Sequence, residues 1–254
     1  MRKKIKIVVA LLIALMIIST CAFAEPTGIT IPTVQVSVDE AASPEETVTT
    51  LQIIALITIL SLAPSILIMV TSFTRIIIIL SFLRNALGTQ QMPPNQILVG
   101  LALFLTLAIM SPTIARVNEE AFTPYVEGTM SQDVALSNAG GIIKEFMLSQ
   151  LRGEAELGLF MDLNEVEAAS PEELPLTVVI PAFILSELKL AFQIGFILYI
   201  PFLVIDMIVA STLMSMGMMM LPPTTISLPF KILLFVLVDG WNLVVQSVIN
   251  GFMV

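Results

Sequence analysis

The longest apolar stretch of the sequence, from Leu176 to Met220, sets the first limit on the fold. A helix rises about 1.5 Å per residue, so a helix of this length far exceeds the bilayer hydrocarbon core of about 30 Å. The stretch must therefore fold back or continue beyond the bilayer. Three other apolar stretches, 51–73, 97–114 and 227–254, are each long enough to cross once.

Composition agrees with a membrane protein. Hydrophobic residues make up 57% of the chain and charged residues only 12%, which lies outside the range of ordinary soluble domains. Prolines that would bend a helix by removing a backbone hydrogen bond occur within the apolar stretches at Pro64, Pro112, Pro181 and Pro201. We predict an all-α integral membrane protein with about four long kinked helices that form hairpins. Arg75–Leu83 and Leu176–Leu188 are additional apolar helical pieces.

The N-terminus has the pattern of a cleaved signal sequence. A basic start is followed by an apolar segment from Ile7 to Ile18 and by small residues at Ala22 and Ala24. We predict cleavage after Ala24; the alternative is that Cys21 serves as a lipoprotein anchor. Cleavage would remove the only cysteine and four basic residues, so the formal net charge would change from −9 to −13.

The charge distribution divides the chain into five predicted regions. They are a cleaved signal (1–24), an acidic flexible lead-in (25–50), a first helical hairpin (51–115), an acidic segment (116–175) and a C-terminal helical hairpin (176–254). The short loop between the first two spans carries Arg84 and no acid, so positive-inside bias places the acidic segment outside the cytoplasm. Clustered lysine and arginine are absent, which argues against nucleic acid as a partner.

Five ionisable residues lie within or beside the apolar helices: Glu187, Lys189, Asp206, Lys231 and Asp239. A lone charge at the bilayer centre costs roughly 2.5–3.5 kcal/mol, so these residues need partners. Asp206 and Lys231 lie at similar distances from the hairpin tip, and an ion pair within one chain is possible. Glu187 lies much farther from that tip. We hypothesise that Glu187 pairs across a subunit boundary, with Lys231 of a neighbour; alternatively, Glu187 and Lys189 lie outside the bilayer and are solvated.

A polar face is predicted in the last helix. Asp239, Asn242, Gln246 and Asn250 recur at i, i+3, i+7 and i+11, which places them on one side. Such a face either joins helices within a bundle or lines a water-filled path or a subunit contact.

The sequence GMMMLPPTT interrupts the C-terminal hairpin. Three consecutive side chains cannot share one helical face, so Met218, Met219 and Met220 are predicted to form a loop whose thioethers project into a common space. Methionine is flexible and fills irregular gaps. Pro222 and Pro223 end the helix and turn the chain. Thioethers also suit Cu(I), but without histidine we predict no metal and no cofactor.

Catalysis is not predicted. The absence of histidine excludes Ser-His and Cys-His nucleophiles, HExxH zinc sites and a histidine general base. Asp206 and Asp239 lack the glycine-containing surroundings of an intramembrane aspartyl dyad. The alternative function from these residues is a proton-coupled secondary transporter, with Asp206, Asp239 and Lys231 as a relay.

Two long segments carry a family resemblance. The first comprises ILSELKLAFQIGF and PFLVIDMIVASTLMSMGMMMLPPTTISLPFKILLFVLVDGWNLV, and the second is TSFTRIIIILSFLRNALGTQQMPPNQILVGLALFLT. Both closely resemble the FliP family of flagellar type III export-gate proteins, called SctR or SpaP in virulence injectisomes. The signal sequence is typical of the flagellar branch.

The resemblance implies an assembly that hydropathy does not predict. Five copies would join FliQ-like and FliR-like subunits in a helical, cone-like gate at the flagellar basal body of the bacterial inner membrane, much of it on the extracytoplasmic side. FlhB-like and FlhA-like export components would be further partners, and unfolded flagellar proteins would be the cargo. Met218, Met219 and Met220 would form a flexible gasket in the channel, and Glu187 and Lys231 would lie at subunit contacts. A third possibility is a purely structural scaffold for basal-body assembly.

Overall fold

The computed structural model describes residues 44–252 except 90, 169 and 219, and only the backbone of residues 44–50. The predicted signal (1–24) and most of the lead-in lie outside the described residues. The chain divides into two compact units, 1–54 and 55–254, and the contacts below all lie within the second. A helix begins at Pro44, inside the predicted flexible lead-in.

The described residues are helical and contain no strand, as the sequence predicts. In chain order the helices are α1 (Pro44–Met69), α2 (Phe73–Leu87), α3 (Asn95–Val117), α4 (Thr123–Val126), α5 (Gln132–Gln150), α6 (Ala155–Leu163), α7 (Leu176–Ser215), α8 (Pro223–Leu237) and α9 (Gly240–Asn250). A π-helical turn joins α3 to α4, and a 3₁₀ turn precedes α7.

In the part of the chain that the structure describes, three helical segments are long and apolar enough to cross a membrane: Leu51–Met69, Asn95–Val126 and Leu176–Ser215. The bent pair α8 and α9 would make a fourth. The sequence predicted this last span as a single helix, but the structure bends it by 63°. Asp239 adopts a left-handed conformation at the bend (φ 51°), and a Cβ at Gly240 would overlap the ring of Phe235.

The long apolar stretch forms one helix that does not fold back. α7 has 40 residues and contains Pro181 and Pro201. At about 1.5 Å per residue it is roughly 60 Å long, about twice the hydrocarbon thickness. Of the two possibilities left by its length, the structure contains the continuous helix.

Helix α2 packs against α7 and α3 at the centre of the second unit. Its buried residues Ile76, Ile79, Leu80 and Leu83 follow the i, i+3, i+4, i+7 spacing of an amphipathic helix. Phe202, Phe235 and Val244, from the C-terminal hairpin, join the same apolar core. This core therefore unites the two predicted hairpins.

The predicted acidic segment is folded onto the first half of α7. Met147 of α5 and Leu157 of α6 pack with Val178 and Phe183 of α7 in a second apolar core. The charged residues of the segment lie mostly outside this core, so the negative charge does not prevent packing.

Candidate functional site

A buried ion pair ties α2 to α7. The side chains of Arg75 and Glu187 are 1% and 0% exposed. Arg75 Nε donates to Glu187 Oε2 at 2.8 Å, and Arg75 Nη2 donates to Glu187 Oε1. Two parallel hydrogen bonds between a guanidinium and a carboxylate fix both charge and orientation. The pair therefore holds the start of α2 in one place along α7.

The same arginine also contacts the C-terminal end of α9. Arg75 Nη1 donates to the carbonyl oxygen of Gly251 at 3.2 Å, and Arg152 Nη2 donates to that oxygen at 3.3 Å. The guanidinium carbon of Arg75 lies 3.7 Å from the centre of the Phe252 ring, a cation–π contact. Cations stabilise the partly negative C-terminus of a helix, so α9 ends at a complementary site.

The hypothesis that Glu187 finds its cation on a neighbouring subunit was wrong. Arg75 of the same chain pairs with it, and Lys231 makes other contacts. The alternative, in which Glu187 is solvated, is also excluded because the carboxylate is buried. Sequence reasoning missed Arg75 and Arg152. The sequence contains a signal that could have identified Arg75: a cation at the edge of an apolar run needs a partner as much as an acid does.

A second polar cluster joins α7, α8 and the end of α2. Lys231 Nζ donates to Asp206 Oδ2 at 2.6 Å and to the carbonyl oxygen of Ala86 at 3.2 Å. Ser227 Oγ donates to the other oxygen of Asp206. The ion pair that the sequence allowed between Asp206 and Lys231 is therefore present. Each charge in the pair is compensated within the chain.

The predicted methionine loop connects α7 to α8. Gly217 adopts the left-handed conformation (φ 76°) just after α7 ends. Met218 is 40% exposed and Met220 is 99% exposed, whereas Met219 lies outside the described residues. Met220 at that exposure contributes nothing to the core of its own chain, and Met218 is only partly covered. Whether they meet in a common space remains a prediction for the assembly.

The prolines after this loop start the next helix. Pro222 precedes α8 and Pro223 is its first residue. Proline fits the first position of a helix because the N–H it lacks would have no helical partner there.

The predicted polar face occupies the exposed side of α9. Asn242 Nδ2 donates to Asp239 Oδ2 at 3.1 Å, and Gln246 Nε2 donates to Asn242 Oδ1 at 3.1 Å. These residues and Asn250 are exposed, while Val244 faces the core. Among the described residues the polar face therefore does not join helices, and a water-filled path or a subunit contact stays the prediction for it.

A peripheral ion pair connects α6 to α7. Lys189 Nζ donates to Glu156 Oε1 at 2.9 Å, although the lysine side chain is 60% exposed. This hydrogen bond, helped by a backbone hydrogen bond, lowers the pKa of Glu156. The folded-state pKa therefore lies below the unfolded value of about 4.3. The pair stabilises the fold above that pH, and its contribution disappears as the pH falls through the lowered pKa.

We expect Glu156→Gln to cost at most about 1 kcal/mol near neutral pH, because the partner Lys189 is largely exposed to solvent. The difference in unfolding midpoint between this variant and the wild type, measured in detergent, should shrink to zero under acid conditions. A difference that stays constant with pH would contradict the assigned ion pair.

Among the described residues, no group of three or more His, Cys, Asp or Glu side chains could hold a metal ion. The buried charges instead form clusters that hold α2, α7 and the bent α8–α9 pair together, next to an exposed methionine loop. This arrangement defines a helical protein of the membrane-spanning class, with two ion pairs that join its apolar helices and an exposed loop between α7 and α8.

Comparison with known proteins identifies the family. The profile of the FliP family matches residues 56–248, and the chain belongs to this family. A relative from Bacillus subtilis (strain 168), named "Flagellar biosynthetic protein FliP", is 54% identical over 218 residues, which cover 85% of this chain and 98% of the relative.

Relatives of the same name occur in distant bacteria. The protein from Pectobacterium carotovorum is 55% identical over 202 residues, covering 79% of this chain and 78% of the relative. The protein from Aquifex aeolicus (strain VF5) is 49% identical over 225 residues, covering 87% and 92%.

Proposed function

We propose that this chain is a core subunit of the flagellar type III export gate, the channel through which unfolded flagellar proteins cross the bacterial inner membrane. The observation that carries the proposal is the 54% identity to a flagellar biosynthetic protein over 98% of that protein's length. Similarity of this extent supports the same role in flagellar biosynthesis. The chain would act as a conduit and not as an enzyme.

The length and exposure of α7 support an assembly of several subunits. Exposed apolar side chains occur along the helix from Leu176 through Phe196 and Met207 to Met214. This surface extends for roughly 57 Å at 1.5 Å per residue. Even a helix tilted by about 40° would need only about 39 Å to cross a core of about 30 Å. The rest of the apolar surface needs protein to cover it.

We infer that further copies of the chain, together with FliQ-like and FliR-like subunits, cover this apolar surface. These subunits would be arranged as a cone at the flagellar basal body. FlhB-like and FlhA-like components would join it to the export apparatus, and much of the gate would lie on the extracytoplasmic side. Lipid would cover the remaining apolar surface. Five copies is the number that the family resemblance implies.

The methionine loops would meet in this assembly as a ring. Met218 and Met220 are exposed in the single chain, and together with Met219 they would fill the resting channel. Flexible thioethers can pack against each other when the channel is empty and around an extended polypeptide during export. Pro222 and Pro223 would hold the loop at a fixed turn.

A stand-alone proton-coupled transporter is less well supported. Asp206 and Lys231 neutralise each other, and Asp239 bonds to Asn242. The described contacts do not link these three charges into a relay.

We expect the full-length chain to restore motility and flagellin secretion to a flagellated bacterium that lacks its own FliP-family gene. Secreted flagellin in the culture medium provides the measurement. A matched control is the chain lacking residues 217–221, which should insert without restoring secretion. If the full-length chain is inserted in the membrane but restores no secretion, the proposed function is contradicted.

A further inference from the structure

Arg84 carries a charge that the described residues do not compensate. It lies in the last turn of α2, half-buried, and its buried Nε atom has no hydrogen-bond partner among them. Arg84 also forms no ion pair among the described residues. Burying a guanidinium N–H without an acceptor costs free energy, and the cost is larger for a charged group than for a neutral one. An acceptor from outside the chain would remove this cost.

Asp239 carries the opposite charge. It forms no ion pair in the described part of the chain, and its carboxylate is exposed at the bend between α8 and α9. Asn242 donates to this carboxylate and Gln246 donates to Asn242, so the acid is held in one orientation before any partner binds. Two neutral amides orient the charge but do not compensate it.

The backbone at Asp239 defines where the carboxylate lies. Its φ of 51° is in the left-handed region, which glycine occupies most readily and aspartate more often than most other residues. The chain therefore turns at the residue that carries the carboxylate.

The two charges lie at similar depths. Lys231 Nζ donates a hydrogen bond to the Ala86 carbonyl, so these two residues lie at about the same height along the axes of α2 and α8, which we call the common level. From that level, both Arg84 and Asp239 lie in the direction of Arg75, because α9 ends beside Arg75. At about 1.5 Å per residue, Arg84 is roughly 3 Å and Asp239 roughly 12 Å from the common level. Their depths therefore differ by less than two helical turns.

We propose that Arg84 of one copy forms an ion pair with Asp239 of the neighbouring copy in the gate. The inference rests on the proposed function, since it requires several copies. In such an assembly each copy makes the same head-to-tail contact with the next, so one face would offer Arg84 and the next copy would offer Asp239. Each copy with a like neighbour on both sides would then have both charges compensated.

A second copy of the chain fits better than a lipid headgroup. A phosphate could accept hydrogen bonds from Arg84, but it would leave the carboxylate of Asp239 uncompensated. Only a partner with both signs of charge satisfies both residues, and this chain supplies both at similar depth. The lipid alternative is an outcome that the following test separates.

Crosslinking between two differently tagged full-length chains tests the pair. Cys21 is the only natural cysteine, so a Cys21→Ser background leaves only the introduced thiols. One chain carries Arg84→Cys and the other carries Asp239→Cys, and both are co-expressed with the other gate genes. A short bismaleimide linker should join the two tags in one band. Pairing Arg84→Cys with Asn250→Cys is the control and should give little product, because Asn250 lies about 16 Å along the helix from Asp239.

Charge reversal provides a second measurement. Arg84→Asp and Asp239→Arg should each lower the yield of assembled gate severalfold, and the double variant should restore it. Arg116→Asp applies the same charge change to an exposed residue and should leave the yield unchanged. An intact multimer without the crosslink, or a double variant without recovery, would overturn the proposed contact, and would favour a lipid phosphate at Arg84. A chain that stays monomeric would instead overturn the proposed function itself.

Discussion

Replacing Arg75 with methionine should destabilise the protein more than any other single change considered. The substitution leaves Glu187 as an uncompensated charge with 0% exposure and also removes a donor to the Gly251 carbonyl. Breaking a buried ion pair from one side typically costs about 3–5 kcal/mol. We expect a loss of this size in the free energy of unfolding, measured by denaturant titration of the purified protein in detergent.

Two matched variants distinguish the effect of leaving Glu187 unpaired from the effect of removing an arginine anywhere in the chain. Arg116→Met removes an exposed arginine that pairs with Glu120 and Glu145, and should change the free energy of unfolding far less than Arg75→Met does. Arg75→Met combined with Glu187→Leu should recover most of the loss, because apolar pairs often replace buried ion pairs without net cost. A double variant as unstable as Arg75→Met alone would argue against the pair.

Replacing Met218, Met219 and Met220 with alanine should raise the passage of small ions through the assembled gate severalfold. The shorter side chains cannot fill the space in which the loops of several copies are proposed to meet. The leak is measured as loss of membrane potential in cells that express the gate. Flagellin secretion should continue, because the channel itself is retained.

Methionines outside the loop provide the control. Met214 lies in the last turns of α7 and Met216 just follows its end, and both are exposed. Changing both to alanine should leave the leak unchanged. A leak that does not rise in the loop variant would contradict the gasket and favour a structural scaffold.

The sequence predicted those features that depend on distances along one helix. The length of the stretch after Leu176 left two possibilities, and the continuous α7 is one of them. Similar distances from the hairpin tip allowed the pair between Asp206 and Lys231, which the structure contains. Helical rise is nearly constant, so such arguments need no knowledge of packing.

Features that depend on packing between helices were missed. Arg75 was assigned to a short apolar piece, so its position opposite Glu187 was not considered. That position depends on how α2 crosses α7, which hydropathy does not determine. The bend at Asp239 had a local signal, because an Asp-Gly pair commonly marks a turn. The apolar residues on both sides of this pair favour a single uninterrupted span, so the bend was not predicted.

Counting subunits tests the central claim most directly. The full-length chain would be co-expressed with its neighbouring genes, and the detergent-extracted complex would be weighed by native mass spectrometry. The proposed gate predicts a large assembly with several copies of this chain and other small membrane proteins. A monomer or simple dimer that is stable without partners would contradict the export gate and favour the transporter.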